Sequence, residues 1–385
     1  SRLDTSTTRY NTGLKFENAG EDPSGMASKI KYDAAITNYK QFATNAGLAA
    51  DTMAEEETAL ESMWNSLSSA HTRLIQAVDS TNDTTSLDAI AEDLLQIRDQ
   101  LFDLMNTQNA EGEYIFSGAQ STVSTMRKTS DGHYFCQADG QARVVQVAPS
   151  VSVQISDSGL NIFENCDLAK TISLTGDTNG LYGMINDYGD YDALYEKYYD
   201  PTGAGTNQLT LNVNADDTFS ITAPDGVTVL AQGEVDDDGT IEALGMKFSI
   251  GDGKTGQNRA VTITMDKPQK GNILNELTTY IDSLRDGTLS TDQLSDVMAQ
   301  AQVSVKNAMN QYDMYRGRVG SRENEVENVI NSDTSLKNIK TTARANITEV
   351  DAFEAASDIV KDQQALQVAR SVFSSINGTS LFDYI

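Results

Sequence analysis

The sequence is poor in the residue types on which many catalytic and metal sites depend. It contains 2 histidines, 2 cysteines and 5 prolines in 385 residues. His71 lies beside an apolar helical seam and His133 in a turn-rich stretch, and neither has the spacing of a metal site or a nucleophile partner. Cys136 and Cys166 either stay free or form one disulfide, if folding brings them together in an oxidising place. The sequence therefore predicts no enzyme, no metal and no cofactor.

Basic residues are also scarce. Lys and Arg total 28 against 56 for Asp and Glu, so the formal net charge is -28. Such a chain repels phosphate backbones and anionic lipids, which predicts no nucleic acid and no membrane partner. No stretch approaches the ~18 consecutive apolar residues of a membrane span. The acidity is typical of a soluble surface protein.

Two partial motifs each lack a residue that their binding function requires. Gly253-Lys254-Thr255 is similar to the end of a phosphate loop, but Phe248 stands where the first glycine is required. The acidic stretch Glu234–Gly239 is similar to part of a calcium loop, yet Gly245 stands where a bidentate Glu is needed. We interpret the acidic stretch as a turn with solvated carboxylates, and weak cation binding is the alternative.

The first third of the chain has apolar residues in a 3,4 spacing, which places them on one face of a helix. The pattern predicts a helix from about Ile30 to Val78, in which Glu56 alone interrupts the series. After the polar stretch Asp79–Ser86, Thr85 and Asp88 suggest the cap of a second helix, antiparallel to the first. The two apolar series are Tyr32, Ala35, Tyr39, Phe42, Ala46, Ala49, Met53, Leu60, Met63, Leu67, Ala70, Leu74 and Ala77, and then Leu87, Ile90, Leu94, Ile97, Leu101 and Leu104.

The last third has the same helical period. Ser290 and Gln293 form the pattern of a capping box, and a long helix should follow, with an interruption at Asn331–Ser335. A final amphipathic helix is predicted over Ala352–Ile376. The apolar positions are Met298, Ala301, Val305, Ala308, Tyr312, Tyr315, Val319, Val326 and Val329, and then Ala352, Ala356, Ile359, Leu366, Phe373 and Ile376.

Between about Val123 and Lys270 the period changes to near alternation, which indicates strands. Asp139-Gly140 and Asp225-Gly226 should be hairpin turns, and the Tyr-rich stretch Leu181–Tyr199 a short helix or cover. The expected strands are Val144–Val153, Gln208–Val213, Thr218–Thr222, Val227–Ala231 and Val261–Met265.

These patterns predict an α+β fold in which both chain ends form an elongated antiparallel helical bundle and an antiparallel β domain is inserted between them. Apolar stripes from both ends can be buried only against each other or against another subunit. The expected segments are 1–122, the N-terminal half of the rod; 123–270, the β domain; 271–333, the C-terminal half of the rod; and 334–385, the terminal helix of an inner region.

Several motifs resemble those of the flagellin superfamily, and within it the hook-filament junction family. Asn11–Phe16 and Asn18–Gly25 resemble the opening of its rod. The turn Gly112–Gly118 and the run Asp139–Val147 resemble the junction family rather than flagellins. Tyr315–Ser321 resembles its C-terminal helix, and Ser380–Ile385 its end. The residues carried over as motif and subunit-contact positions are Asn11, Gly13, Asp22, Pro23, Tyr114, Phe116, Gly118, Arg316, Gly320, Leu381 and Phe382.

The resemblance implies a structural subunit that is exported through the flagellar type III channel to the outside of the cell. Its implied partners are flagellin, the hook-side junction protein (hook-associated protein 1), further copies of itself in a ring, and an export chaperone on the last helix. It also implies an N-terminal helix, for which the residues before Asn11 are too few. We therefore expect part of that region to be missing, and the last helix to lack its partner and to be disordered alone. The alternatives are a flagellin and an extracellular coiled-coil adhesin.

Overall fold

The computed structural model describes residues 2–78, 82–250 and 257–378. Within these ranges the chain forms eight helices and fourteen strands. The helices are α1 (Arg2–Thr12), α2 (Pro23–Ala77), α3 (Thr84–Met105), α4 (Gly159–Phe163), α5 (Tyr188–Tyr198), α6 (Ile273–Arg285), α7 (Thr291–Thr348) and α8 (Ala352–Gly378). Helices at both ends and antiparallel strands in the middle confirm the predicted α+β class.

The described chain divides into two compact units, each assembled from separate stretches of sequence. Unit 1 is drawn from Ser1–Asp51, Val144–Val153 and Arg322–Ile385, and unit 2 from Thr52–Arg143 and Gln154–Ser321. Both α2 and α7 contribute residues to each unit. The four segments expected from the sequence divide the chain differently, and their boundaries stay predictions.

Most of the apolar seam positions of α2 and α7 are buried as the 3,4 spacing predicted, whereas five are half-buried: Tyr32, Ala35, Tyr39, Phe42 and Val329. In α2 the buried positions are Ala46 and Ala49 in unit 1, and Met53, Leu60, Met63, Leu67, Ala70, Leu74 and Ala77 in unit 2. In α7 they are Met298, Ala301, Val305, Ala308, Tyr312, Tyr315 and Val319 in unit 2, and Val326 in unit 1.

The interruption in this series, Glu56, is also buried, with 1% of its surface exposed. Its carboxylate accepts the backbone N–H of Asp157 at 3.1 Å. Because a buried carboxylate needs such a donor, the seam of unit 2 tolerates one charged residue where a loop supplies the hydrogen bond.

Cross-helix contacts in unit 2 show that α2 and α7 are antiparallel. Gln302 donates to the carbonyl of Leu74 at 3.5 Å, and about four turns further along α7, Arg316 lies 3.9 Å from the carboxylate of Glu61, earlier in α2. The predicted pairing of α2 with α3 is supported by the ion pair between Arg73 and Asp93 at 3.0 Å.

Helix α6 was missed in the sequence analysis, although Ile273, Leu274, Leu277, Tyr280, Ile281 and Leu284 have the helical period and are buried. It packs against α3. Arg98 of α3 donates to Thr278 at 3.2 Å, and Arg285 of α6 pairs with Glu92 at 2.9 Å. The helix is only 13 residues long and lies directly between the last strand and the capping box of α7, so its period covers few turns.

Four other predictions at helix ends were wrong or shifted. Asp83, rather than Thr85, caps α3 by accepting the N–H of Ser86. Helix α7 continues through Asn331–Ser335, because no Pro or Gly there breaks it. An 11-residue helix, α1, forms from the residues before the motif together with its first two residues, Asn11 and Thr12, although these residues were expected to be too few for a helix. Helix α8 is an ordered helix and packs against α1, with Ser6 donating to Asp362 at 2.5 Å.

The capping box at the start of α7 is confirmed. The backbone N–H of Ser290 donates to Oε1 of Gln293 at 2.9 Å, and the N–H of Gln293 donates to Oγ of Ser290 at 3.2 Å. Two of the N–H groups that a helix start leaves without intrahelical partners are thereby satisfied.

The strands of unit 2 form several antiparallel sheets. The largest has the order β10-β9-β8-β13-β6, and a second has the order β11-β12-β7. One face of the larger sheet, including Leu211, Ile221 and Ile263, packs into a core with Phe248 and Tyr191. The strands are β1 (Met126–Lys128), β2 (Tyr134–Cys136), β3 (Val144–Ala148), β4 (Val151–Gln154), β5 (Cys166–Asp167), β6 (Ile172–Gly176), β7 (Tyr182–Ile185), β8 (Gln208–Val213), β9 (Thr218–Thr222), β10 (Val229–Glu234), β11 (Thr240–Ala243), β12 (Met246–Ser249), β13 (Arg259–Met265) and β14 (Lys270–Gly271).

The expected strands β8 and β9 have the predicted bounds, and Asp225-Gly226 is the predicted hairpin turn between β9 and β10. Asp225 accepts the N–H groups of Val227 and Thr228, and Gly226 has a φ of 72°. The stretch Val144–Val153 is not one strand but the hairpin β3–β4, in unit 1.

Asp139-Gly140 is not a hairpin turn, because β2 pairs with β1 and β3 with β4. Asp139 instead accepts the N–H of Ala119 at 3.0 Å and so connects two loops of unit 2. The Tyr-rich stretch contains strand β7 and then the predicted short helix, α5.

We expect Tyr312→Phe to raise the free energy of unfolding by about 0.5–1 kcal/mol, because the Tyr312 hydroxyl is buried and has no hydrogen-bond partner among the described residues. The matched control is Tyr280→Phe, which removes a hydroxyl that donates to Glu276 at 3.1 Å and should cost about 1–2 kcal/mol. Urea denaturation of the two variants and the wild type measures both changes. A loss of stability in Tyr312→Phe as large as in Tyr280→Phe would contradict this account of the seam.

Candidate assembly surfaces

The motif Asn18–Gly25 forms the start of α2 in unit 1. Asp22 accepts the N–H of Gly25 at 2.8 Å as the cap, and Pro23 takes the first helical position, where a missing N–H costs nothing. A Cβ on Gly25 would lie 2.6 Å from the ring of Phe16, which is buried beneath this turn. Asp22 and Pro23 thus occupy their motif positions because they begin the helix.

The motif Asn11–Phe16 connects α1 with α2 and pairs with the connection between α7 and α8, also within unit 1. Gly13 ends α1 with a φ of 69°, which favours glycine, and its carbonyl accepts the N–H of Val350 at 2.9 Å. The N–H of Lys15 donates to the carbonyl of Thr348 at 2.7 Å. Asn11 is exposed on the last turn of α1.

The connections leave a cavity of about 420 Å³ in unit 1. Its walls carry charges of both signs, with Arg9 and Lys15 among the carboxylates of Glu21, Asp22, Glu354 and Asp358. The carboxylates outnumber the basic groups, so the cavity disfavours an anion.

The turn after α3 in unit 2 is built around Phe116 and Gly118. Gly118 has a φ of 68°, and a Cβ there would lie 2.0 Å from the Asp139 carboxylate. The carbonyl of Phe116 accepts the N–H of Gly159 at 2.7 Å. Tyr114 is half-buried, and its N–H donates to the carbonyl of Ser121 at 2.7 Å.

Three aromatic rings connect this turn with α7. The rings of Phe116 and Phe163 meet edge to face with centroids 5.2 Å apart, and Phe163 meets Tyr312 in the same way at 5.8 Å. All three side chains are fully buried. The structure therefore brings the predicted residues of the turn to the helix that carries Arg316 and Gly320.

Arg316 and Gly320 lie on α7 in unit 2. Arg316 pairs with Asp313 at 3.4 Å and with Glu61, and Gly320 has open space where a Cβ would stand. Leu381 and Phe382 lie outside the described residues. Among the predicted residues, Asn11, Gly13, Asp22 and Pro23 meet in unit 1, and Tyr114, Phe116, Gly118, Arg316 and Gly320 belong to unit 2. Their role in subunit contacts stays a prediction.

The described residues hold no cluster of His, Cys, Asp and Glu that could bind a metal ion. Cys136 and Cys166 are free thiols, and burial raises their pKa values to about 11 and about 12. Asp236–Thr240 is a hydrogen-bonded turn, as interpreted from the sequence. Gly253-Lys254-Thr255 lies outside the described residues. In the described chain no helix combines the length and apolarity needed to span a membrane.

Helix α8 exposes much of the apolar stripe for which the sequence analysis expected a partner to be missing. Every residue from 363 to 376 is exposed. Leu366, Phe373 and Ile376 of the predicted stripe are 37%, 66% and 65% exposed. Val368 and Val372 are also exposed, and Arg370 is the only charged residue in this stretch. Exposed apolar residues this dense indicate a contact with another chain.

Both ends of the chain match known protein families. The family described as the bacterial flagellin N-terminal helical region matches residues 1–121, and the bacterial flagellin C-terminal helical region matches residues 303–385. A flagellin of Clostridium tyrobutyricum is 22% identical over 377 residues, which cover 96% of this chain and 92% of that protein.

Flagellar hook-associated protein 3 also matches, from two organisms. The protein of Salmonella typhimurium is 25% identical over 158 residues, or 41% of this chain and 49% of that protein. The protein of Escherichia coli is 24% identical over 181 residues, or 46% of this chain and 56% of that protein. The chain thus spans about half the length of these two relatives.

Solved structures share the fold. FlgL of Xanthomonas campestris superimposes with a TM-score of 0.61 at 18% identity, over 82% of this chain and 97% of that chain. Flagellar hook associated protein-3 from Legionella pneumophila gives a TM-score of 0.63 at 18% identity, over 82% and 98%. Since the two family matches cover both helical ends and together more than half of the residues, the chain belongs to the flagellin superfamily.

Proposed function

We propose that this chain is the structural subunit of the junction between hook and filament. It is a structural component of the bacterial flagellum and not an enzyme. Assembly with other chains is supported by α8, whose residues 363–376 expose a nearly uncharged apolar surface in a chain with a net charge of -28. Such a surface is stable only when other chains cover it, and each Leu, Ile or Phe buried there would contribute about 1.5–3 kcal/mol.

The junction role, rather than another flagellar role, is supported by two features. The turn Gly112–Gly118 resembles that of the junction family, and Phe116 and Gly118 are fixed by tight contacts that few other residues could make. The fold also covers nearly all of the solved hook-associated protein 3 chain from Legionella pneumophila.

The partners that follow from this role are flagellin on one side, hook-associated protein 1 on the other, and further copies of this chain within the ring. Helix α8 is the segment that an export chaperone would cover before secretion, since its apolar residues are otherwise exposed in the cell. Export through the flagellar type III channel would place the assembled protein outside the cell.

A second candidate is a flagellin, because the Clostridium tyrobutyricum flagellin matches along nearly the whole chain. Both candidates share the fold and the exposed α8 surface. They differ in whether the chain can extend a filament from copies of itself.

Deleting the gene should leave cells that have hooks but no filaments and that release flagellin into the medium. Electron microscopy of the cells and immunoblotting of the medium measure both results. Complementation with the wild-type gene is the control. Cells that keep their filaments and swim normally would exclude the junction role and favour an adhesin.

The purified protein should not polymerise alone into long filaments under conditions in which the flagellin of the same organism does. The physical reason is that a junction subunit meets different partners on its two sides, so copies of one chain do not complete both contacts. Negative-stain electron microscopy distinguishes the outcomes. Long homopolymeric filaments would favour the flagellin assignment.

The double variant Leu366→Asp and Phe373→Asp should fail to restore filaments in the deletion strain while the isolated protein folds as the wild type does. Both side chains are exposed, so the free energy of unfolding should change by no more than about 1 kcal/mol. The matched control is Gln363→Asp and Gln367→Asp, which adds the same charges to exposed polar positions of α8. Full complementation by the apolar-to-Asp variant would show that this surface is not needed for assembly.

A further inference from the structure

The outward face of the five-stranded sheet in unit 2 carries regular rows of hydroxyl and amide side chains. The register places Thr175, Thr262, Thr210, Thr222 and Val229 side by side, one from each strand, in a line across the sheet. A second row consists of Ala260, Asn212, Ser220 and Gln232, and a third of Ser173, Thr264 and Gln208.

This face carries little charge. Glu234, which pairs with Thr218 at the end of β9 and β10, is the one charged residue among the outward positions and lies at a corner. At another edge, Ser173 donates to the Asp266 carboxylate at 2.8 Å. The central positions around Thr210 and Thr262 are uncharged, so a neutral ligand could lie over them without desolvating a charge.

The hydroxyl groups of the face are available for binding. Thr175, Thr210, Thr262, Thr264 and Ser220 are exposed or half-buried, and their side chains make no hydrogen bond within the described part of the chain. The opposite face of the same strands packs into the core. The rows are therefore held on a rigid support, and little conformational freedom would be lost when a ligand binds.

We propose that this face binds an extended, neutral polysaccharide. Hydroxyl and amide groups both donate and accept hydrogen bonds, as the hydroxyl groups of a sugar do, and the methyl groups of Thr can pack against sugar C–H groups. Adjacent strands lie about 4.8 Å apart, and alternate residues along a strand about 6.7 Å apart. The hydroxyl and amide groups therefore form a regularly spaced lattice. The sheet twist rotates the rows gradually, and the regular spacing, rather than flatness, suits a flexible polymer that repeats along its length better than a small molecule.

The main alternative occupant is the same face of a second copy. Sheets that pack face to face are held by interdigitating apolar side chains. Among the outward positions named above, only Val229 and Ala260 are apolar, so two copies of this face would gain little from burying it. The hydroxyl and amide rows therefore favour the polysaccharide.

The test is retention of the full chain on three insoluble neutral polysaccharides: amorphous cellulose, chitin and starch. We expect retention on at least one, unchanged between low and high salt because no charges take part. The double variant Thr210→Val and Thr262→Val keeps the β-branched shape and removes two hydroxyl groups from the central row. It should bind about fivefold more weakly.

A second double variant, Thr210→Lys and Thr262→Lys, should abolish retention, because binding would desolvate two charges. The matched control is Ser130→Lys, at an exposed turn position away from this sheet. Circular dichroism of each variant confirms that it is folded, and light scattering reports the number of copies in solution. The proposal would be overturned if the wild type bound none of the three polymers, or if the Val and Lys variants bound as tightly as the wild type. Self-association of the wild type that both variants lose would assign the face to copy-to-copy contact instead.

Discussion

The apolar seam of unit 2, in which α2 and α7 run antiparallel, is the contact on which the rest of that unit depends. Met53, Leu60 and Leu67 of α2 are buried there with Val305 and Tyr312 of α7. Helix packing rather than intrinsic propensity stabilises such long helices. The turn at Phe116 and helix α4 reach this seam through the ring of Phe163, so the loops after α3 depend on the same contact. The exception to apolarity, Glu56, accepts a hydrogen bond from the backbone N–H of Asp157.

Much of this architecture could be predicted from periodicity, because a helical face and a strand face leave different spacings in the sequence. Sequence spacing alone predicted the apolar seam of α7, its capping box, and strands β8 and β9. It did not predict the pairing on either side of Asp139-Gly140, where β2 pairs with the strand before it and β3 with the strand after it. The Asp-Gly turn signal therefore lies between two hairpins rather than within one, and the signal alone does not distinguish these cases. Helix α7 continues through Asn331–Ser335 because polar residues without Pro or Gly weaken a helix but do not end it.

The motif residues had been carried over by resemblance, and the structure gives most of them a reason within the chain. Asp22 caps a helix, Gly13 takes a positive φ, and Gly118 stands where any side chain would meet Asp139. The candidate contact surfaces are different residues. On α8, apolar period alone could not distinguish burial within the chain from burial by a neighbour, since both require the same stripe. The hydroxyl rows of the large sheet needed the strand register, because their members come from five separate strands.

Burial of the two thiols has a consequence for chemical durability. The thiolate is the form of cysteine that reacts with oxidants, and the raised pKa values of Cys136 and Cys166 leave almost none of it near neutral pH. Peroxide or dissolved oxygen would therefore modify these positions slowly. The chain could therefore stay in an aerated medium without becoming covalently cross-linked through these two positions.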